Sequence, residues 1–191
     1  MGKGRLEAFS DGVLAVIITI MVLELKVPHG SNLAALHSEI PVFLDYVLSF
    51  VFVGIYWNNH HHMLHAVHRV NGRILWANLH LLFWLSIVPF VTAWMGENYL
   101  AAVPVALYGS VLFMAGLAFT ILCRALIAYE GKDSVLAIAL GKDRKGRASL
   151  IIYAVAVPLS FVNSWLSIVL YVFVAVMWFI PDRRIERAVA E

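Results

Sequence analysis

Residues 5–23 read Arg5-Leu6-Glu7-Ala8-Phe9-Ser10-Asp11-Gly12-Val13-Leu14-Ala15-Val16-Ile17-Ile18-Thr19-Ile20-Met21-Val22-Leu23. After a charged and hydroxylated opening, Thr19 is the only polar side chain between Gly12 and Leu23. The apolar run continues to Val27 and is closed by Pro28 and Gly30. A helix needs about 20 mostly apolar residues to cross a hydrocarbon core about 30 Å thick, so residues 6–27 are predicted to span a membrane. The rest of the chain agrees: 62% of its 191 residues are hydrophobic and 14% charged, where soluble domains are roughly half apolar and about a quarter charged. The longest polar stretch, 130–149, is too short to build a second core, so residues 1–191 are read as one membrane domain.

Five further runs follow, at 42–57, 74–94, 99–129, 148–161 and 165–180. The fifth of the six is short and contains Pro158. The weak apolar stretch of Leu136, Ile138 and Leu140 is predicted to lie at the interface, because it is short and is bracketed by Lys132 and Lys142. The expected fold is all-α and polytopic, with six transmembrane helices per subunit.

Basic residues orient the spans. Cytoplasmic loops carry an excess of Lys and Arg. Of the 14 Lys and Arg residues, only Lys26 falls on the far side of a six-span arrangement. Both termini are therefore predicted to be cytoplasmic, in a multi-pass protein of the cell (plasma or inner) membrane. The loop 142–145 (Lys142-Asp143-Arg144-Lys145) reads first as topology-setting and second as a lipid-headgroup contact. A net charge of +2 gives no reason to expect a nucleic-acid partner, and the lone Cys123 allows no internal disulfide.

Two placements fit Asp11. A carboxylate in lipid costs several kcal/mol, so it either faces protein, with Arg5, Ser10 or helix amides as partners, or sits at headgroup level. Gly12, Val16, Thr19 and Leu23 stack on one helical face. Downstream, His60, His61, His62, His65 and His68 crowd the end of the second span. They fit helix bracing, a pH-sensitive contact or, through the His61, His65 and His68 spacing, a transition-metal site. Asn78 and His80 in the third span are expected to hydrogen-bond to neighbouring helices, with Ser10 and Asp11 as partners.

Arg5-x-x-x-Phe9-Ser10-Asp11-Gly12 at the head of the first helix resembles the signature of the bacterial transmembrane protein 175 family, potassium-permeable channels related to the endolysosomal channel of animals. Thr19, Glu24-Leu25-Lys26-Val27-Pro28, Trp57-x-x-His60-His61, Asn78 and Pro89-Phe90 also fit that pattern. The likeness is good over the first half of the chain and extends to the second only in span count. It implies a homotetramer with the first helix of each subunit lining a central pore for monovalent cations, K⁺ foremost. By position, Gly12, Val16, Thr19 and Leu23 would line the pore. Val16 would be the constriction, Thr19 a hydroxyl ring and Leu23 a second apolar ring. The family commonly has Ile or Leu where this chain has Val16, which leaves Val16 and Leu23 as rival narrowest rings. Arg5, Phe9, Ser10, Asp11, His60, His61 and Asn78 would be motif and bracing residues. No catalytic residue, metal ligand or cofactor is assigned, K⁺ being the permeant ion. The alternative is a proton- or cation-coupled secondary transporter, disfavoured because paired interrupted helices are missing. A membrane enzyme comes last, since no nucleophile or carboxylate pair accompanies the histidines.

Overall fold

A computed structural model describes residues 2–37, 39–98, 100–141 and 143–179. Among the described residues every regular element is helical: α1 (Lys3–Leu23), α2 (Leu33–His37), α3 (Ile40–His65), α4 (Gly72–Glu97), α5 (Ala102–Glu130), α6 (Val135–Leu140), α7 (Arg144–Leu159) and α8 (Ser164–Phe179). Four of these, α1, α3, α4 and α5, are long and apolar enough to cross a membrane. Helices α7 and α8 have 16 residues each, about 24 Å at 1.5 Å per residue. They lie antiparallel, with the Trp178 indole donating to Ser149 Oγ at 2.8 Å and Ser167 Oγ donating to the Ala156 carbonyl.

Several boundaries differ from those read in the sequence. Helix α1 ends at Leu23, short of Val27, because two tight backbone turns onto Met21 and Val22 break the ladder there. Helix α3 runs eight residues beyond Trp57, to His65, so His60, His61, His62 and His65 are helical, while His68 lies beyond the helix end and does not share a helical face with His61 and His65. Histidine is a tolerable helix former, and its polarity limits the apolar run without ending the helix. The weak stretch around Leu136 forms the short helix α6, capped by Ser134 accepting from Ala137 N. Pro158 lies in the last turn of α7, while Pro89 sits inside α4 without ending it.

Helix α4 is the hub, packing against α1, α3 and α5, while α5 carries α7 and α8 on its other side. Helix α8 reaches α5 with a side chain at Gly109: a Cβ there would lie 1.9 Å from the Tyr171 hydroxyl, which donates to the Val105 carbonyl. Only glycine admits that contact. Two ends result. One gathers the start of α1, the α3–α4 connection, the end of α5 and the start of α7, with Lys3, Arg5, Arg69, Arg73, Arg144, Lys145 and Arg147. Here the Glu130 carboxylate accepts from the backbone N–H groups of His68 and Arg69. The opposite end carries Lys26, paired with Glu97. That hydrogen bond and charge hold Lys26 above its ordinary pKa of 10.5. Lys142, Arg183, Arg184 and Arg187, which also entered the orientation argument, lie outside the described residues.

Candidate functional site: the two faces of the first helix

Helix α1 has two faces of different character. Leu6, Ser10, Leu14, Ile17 and Met21 are buried against α3 and α4, at the i, i+4, i+8, i+11 spacing that keeps one helical face toward a core. Gly12, Val16, Thr19 and Leu23 lie on the opposite face, with Val16 54% and Leu23 79% exposed. A Cβ added at Gly12 would meet nothing within 4 Å, so nothing inside the subunit requires glycine there. Phe9, 48% exposed, lies beside this face and, with Gly12, Val16 and Ile20, walls a groove whose other side is Ser86, Pro89 and Phe90 of α4.

The buried face is fastened by a directional chain of hydrogen bonds. Ser10 Oγ, fully buried, donates to the Leu6 carbonyl at 2.8 Å and accepts from Asn78 Nδ2 at 2.9 Å. Asn78 Oδ1 in turn lies 2.7 Å from His60 Nε2. An amide oxygen only accepts, so His60 carries its proton on Nε2 in this arrangement. Three helices, α1, α4 and α3, are thus joined through one asparagine. Each of these polar groups is satisfied by the next, which is the condition for polar side chains between membrane helices.

Asp11 is held differently from either expected partner set. Its Oδ1 accepts from the Trp57 indole N–H at 3.1 Å. Arg5 is exposed and makes no side-chain hydrogen bond or ion pair among the described residues. Trp57 supplies the partner that Arg5 and Ser10 do not. The available signal was its indole N–H, which seeks an acceptor wherever the ring is partly buried, one turn from His60 and His61. His61 is not in the hydrogen-bonded chain. It stacks on Trp57, centroids 6.2 Å apart, and lies 6.0 Å from the His65 ring. Among the described residues no three His, Cys, Asp or Glu side chains converge to hold a metal ion. His80 accepts from the Trp84 indole one turn along α4 at 2.9 Å rather than reaching α1.

Thr19 is the one polar side chain on the exposed face above Gly12. Its hydroxyl proton is shared between the carbonyls of Ala15 at 3.0 Å and Val16 at 2.9 Å. With the proton turned back onto its own helix, the oxygen lone pairs face away from it. Val16 and Leu23 flank it, seven residues or about 10 Å apart along the axis.

The chain is similar to several known proteins. The profile of the family described as endosomal/lysosomal potassium channel TMEM175 matches residues 5–89. A protein of Chryseobacterium sp. (strain P1-3) named as a potassium channel is 54% identical over 191 residues, covering 100% of both chains. The crystal structure of a lysosomal potassium-selective channel TMEM175 homolog from Chamaesiphon minutus superposes with a TM-score of 0.83 at 31% identity, covering 94% of this chain and 97% of that one. The human protein named endosomal/lysosomal proton channel TMEM175 is 41% identical over 73 residues, 32% of this chain and 14% of its own. Full-length identity to one relative and a shared fold with another establish that this chain belongs to the TMEM175 family, as a multi-pass membrane protein.

Proposed function

We propose that the chain is one subunit of a potassium-permeable channel, a homotetramer in which α1 of each copy lines a central pore. The carrying observation is the pairing of opposites on α1. One face is fixed to α3 and α4 by the Ser10–Asn78–His60 chain, and the other leaves Gly12, Val16, Thr19 and Leu23 exposed, with Gly12 and Val16 along the groove toward α4. Around a four-fold axis, Val16 and Leu23 form apolar rings that gate by dewetting. The Thr19 lone pairs form an acceptor ring for a partly dehydrated cation between them. A threonine oxygen whose proton is occupied elsewhere suits that role, because only lone pairs stabilise a cation. The relatives named as potassium channels make K⁺ the ion of choice.

In this reading α1, α3, α4, α5, α7 and α8 are the six crossings, α6 lies at the interface, and the basic end is cytoplasmic. A coupled transporter is less suited. Such carriers place discontinuous helices at the substrate site, whereas α4 runs unbroken through Pro89. The test is ion flux through the purified protein in liposomes. K⁺ moving down its own gradient with no coupling ion, and faster than Na⁺, is the expected result. Flux that requires a second ion gradient would overturn it.

A further inference from the structure

Among the described residues, the one buried side-chain oxygen or nitrogen without a hydrogen-bond partner is Asp45 Oδ2. Asp45 lies in the second turn of α3 and is 7% exposed. It meets α4 at Gly96. A Cβ on Gly96 would lie 3.3 Å from Asp45 Oδ2 and 3.2 Å from Val42 Cα. The two helices are therefore in close contact here, with a glycine on one side and a carboxyl on the other.

The neighbouring donors are committed elsewhere. One turn along α3, Ser49 pairs with the Tyr108 hydroxyl of α5 at 3.0 Å. Thr92 of α4 donates to the Val88 carbonyl or to Ser49 Oγ, both at 2.7 Å. Beyond Gly96, Lys26 is engaged by Glu97. Val42 and Gly96 also wall a cavity of about 190 Å³ at the end opposite the basic one, with Glu24, Lys26, Glu39 and Glu97 around it. Only the glycine backbone stands between the carboxyl and that cavity. Buried polar groups normally have partners. A bare buried carboxylate costs far more than a neutral carboxyl.

We infer that Asp45 is a proton-binding site served from this cavity, and that its occupancy sets the packing of α3 on α4. With the proton in place, a neutral carboxyl rests against Gly96 and the contact stays closed. When the O–H bond gives its proton to cavity water, the carboxylate left behind needs donors that the closed contact lacks. The contact loosens until water supplies them. Stability from this contact is therefore full in acid and is lost as pH rises and Asp45 ionises. Glu24, the C-cap of α1, lines the same cavity, so the loosening reaches the end of the exposed stripe at Leu23. That link to ion flow rests on the channel reading, while the proton site does not.

The experiment uses the full chain, in detergent and in liposomes. Infrared difference spectra between acidic and alkaline buffer should contain a protonated-carboxyl band that Asp45→Asn lacks and Glu24→Gln keeps. The wild-type melting temperature should fall relative to that of Asp45→Asn as the pH is raised from acid to alkali, by at least about 2–4 °C. Taking the difference cancels the titration of every other group. In liposomes, K⁺ flux through the wild type should change over the same range of external pH, and Asp45→Asn should stay at the acidic rate. Gly96→Ala, which presses a methyl group against Asp45 Oδ2, should shift the band and serves where Asp45→Asn does not fold. If the wild type passes no K⁺ at all, the channel reading fails, and the spectra and melting curves still decide the proton site. A band unchanged in Asp45→Asn, or melting curves of the two proteins that run parallel across pH, overturns the inference. Wild-type K⁺ flux indifferent to external pH overturns the link to ion flow.

Discussion

The two faces of α1 have nearly the same composition and opposite roles. Leu14 and Val16, two residues apart, are both aliphatic, yet Leu14 is 1% exposed and Val16 54%. In a soluble protein such a difference marks core against solvent and is written in polarity. In a membrane both environments are apolar, so the polar side chains carry the distinction. Ser10, on the Leu14 side, enters a hydrogen-bonded chain to Asn78 and His60, while Thr19, on the Val16 side, bonds only its own helix. A polar group that reaches across to another helix marks the fixed face. One that turns its proton inward and its lone pairs outward marks, in the proposed channel, the face left for ions.

The sharpest way to break this contrast is to place one polar group on each face. Leu14→Asn loses buried apolar contacts, about 2–5 kcal/mol for a large-to-small change, and strands an amide, about 1–3 kcal/mol more. It should abolish recovery of folded protein from detergent. Val16→Asn should leave recovery intact, raise cation flux and lower discrimination between K⁺ and Na⁺ in liposomes. If both variants fold and change flux alike, the two faces are not distinct.

A smaller effect is expected within the fixed face. Asn78→Ala breaks two interhelical hydrogen bonds, leaving His60 Nε2–H unpaired and Ser10 bonded only to the Leu6 carbonyl, whereas Ser10→Ala breaks one and strands the Asn78 amide. At about 0.5–1.5 kcal/mol per hydrogen bond lost, thermal unfolding in detergent should show the larger loss for Asn78→Ala. Equal losses would mean the three residues do not act as a chain.

On the open face, Thr19→Val should lower K⁺ preference while moving stability by no more than about 0.5 kcal/mol, because the lost hydrogen bond is local to α1. A large stability loss would place Thr19 in packing rather than in the pore. The smallest effect belongs to the opposite end. Lys26→Gln removes an exposed pair with Glu97, and salt screening leaves little to lose. Since Glu97 raises the Lys26 pKa, the pair is intact across neutral pH. Its contribution is lost as pH rises through the alkaline range and Lys26 deprotonates. Melting temperatures of wild type and Lys26→Gln should therefore differ slightly and by the same amount at every neutral pH.

Much of the helical plan was legible in the residues. Apolar length marked α1, α3, α4 and α5 as spans, and bracketing charges marked α6 as something shorter. The ends were less legible. Apolarity reports which residues prefer lipid, while a helix continues as long as its backbone bonds do, as α3 does through His60–His65. Spacing puts Gly12, Val16, Thr19 and Leu23 on one face, the family resemblance makes that face the pore candidate, and the family signature singles out Ser10, Asp11, His60 and Asn78. Spacing could not say that Trp57, and not Arg5, would hold Asp11, because that depends on which side chain of α3 comes level with the third turn of α1.

By itself, then, the sequence determined what is local: membrane solvent, the four long apolar spans, the stripe on α1 and the side on which basic residues gather. All of these follow from transfer free energies and a fixed helical period. Only the tertiary structure decided which face of α1 is fixed, that one asparagine joins three helices, and that Asp45 of α3 lies against Gly96 of α4. Those depend on the rotation of one helix against another. In an apolar solvent, hydrophobicity does not set that rotation. Close packing and a few hydrogen bonds between residues as distant as Ser10 and Asn78 do.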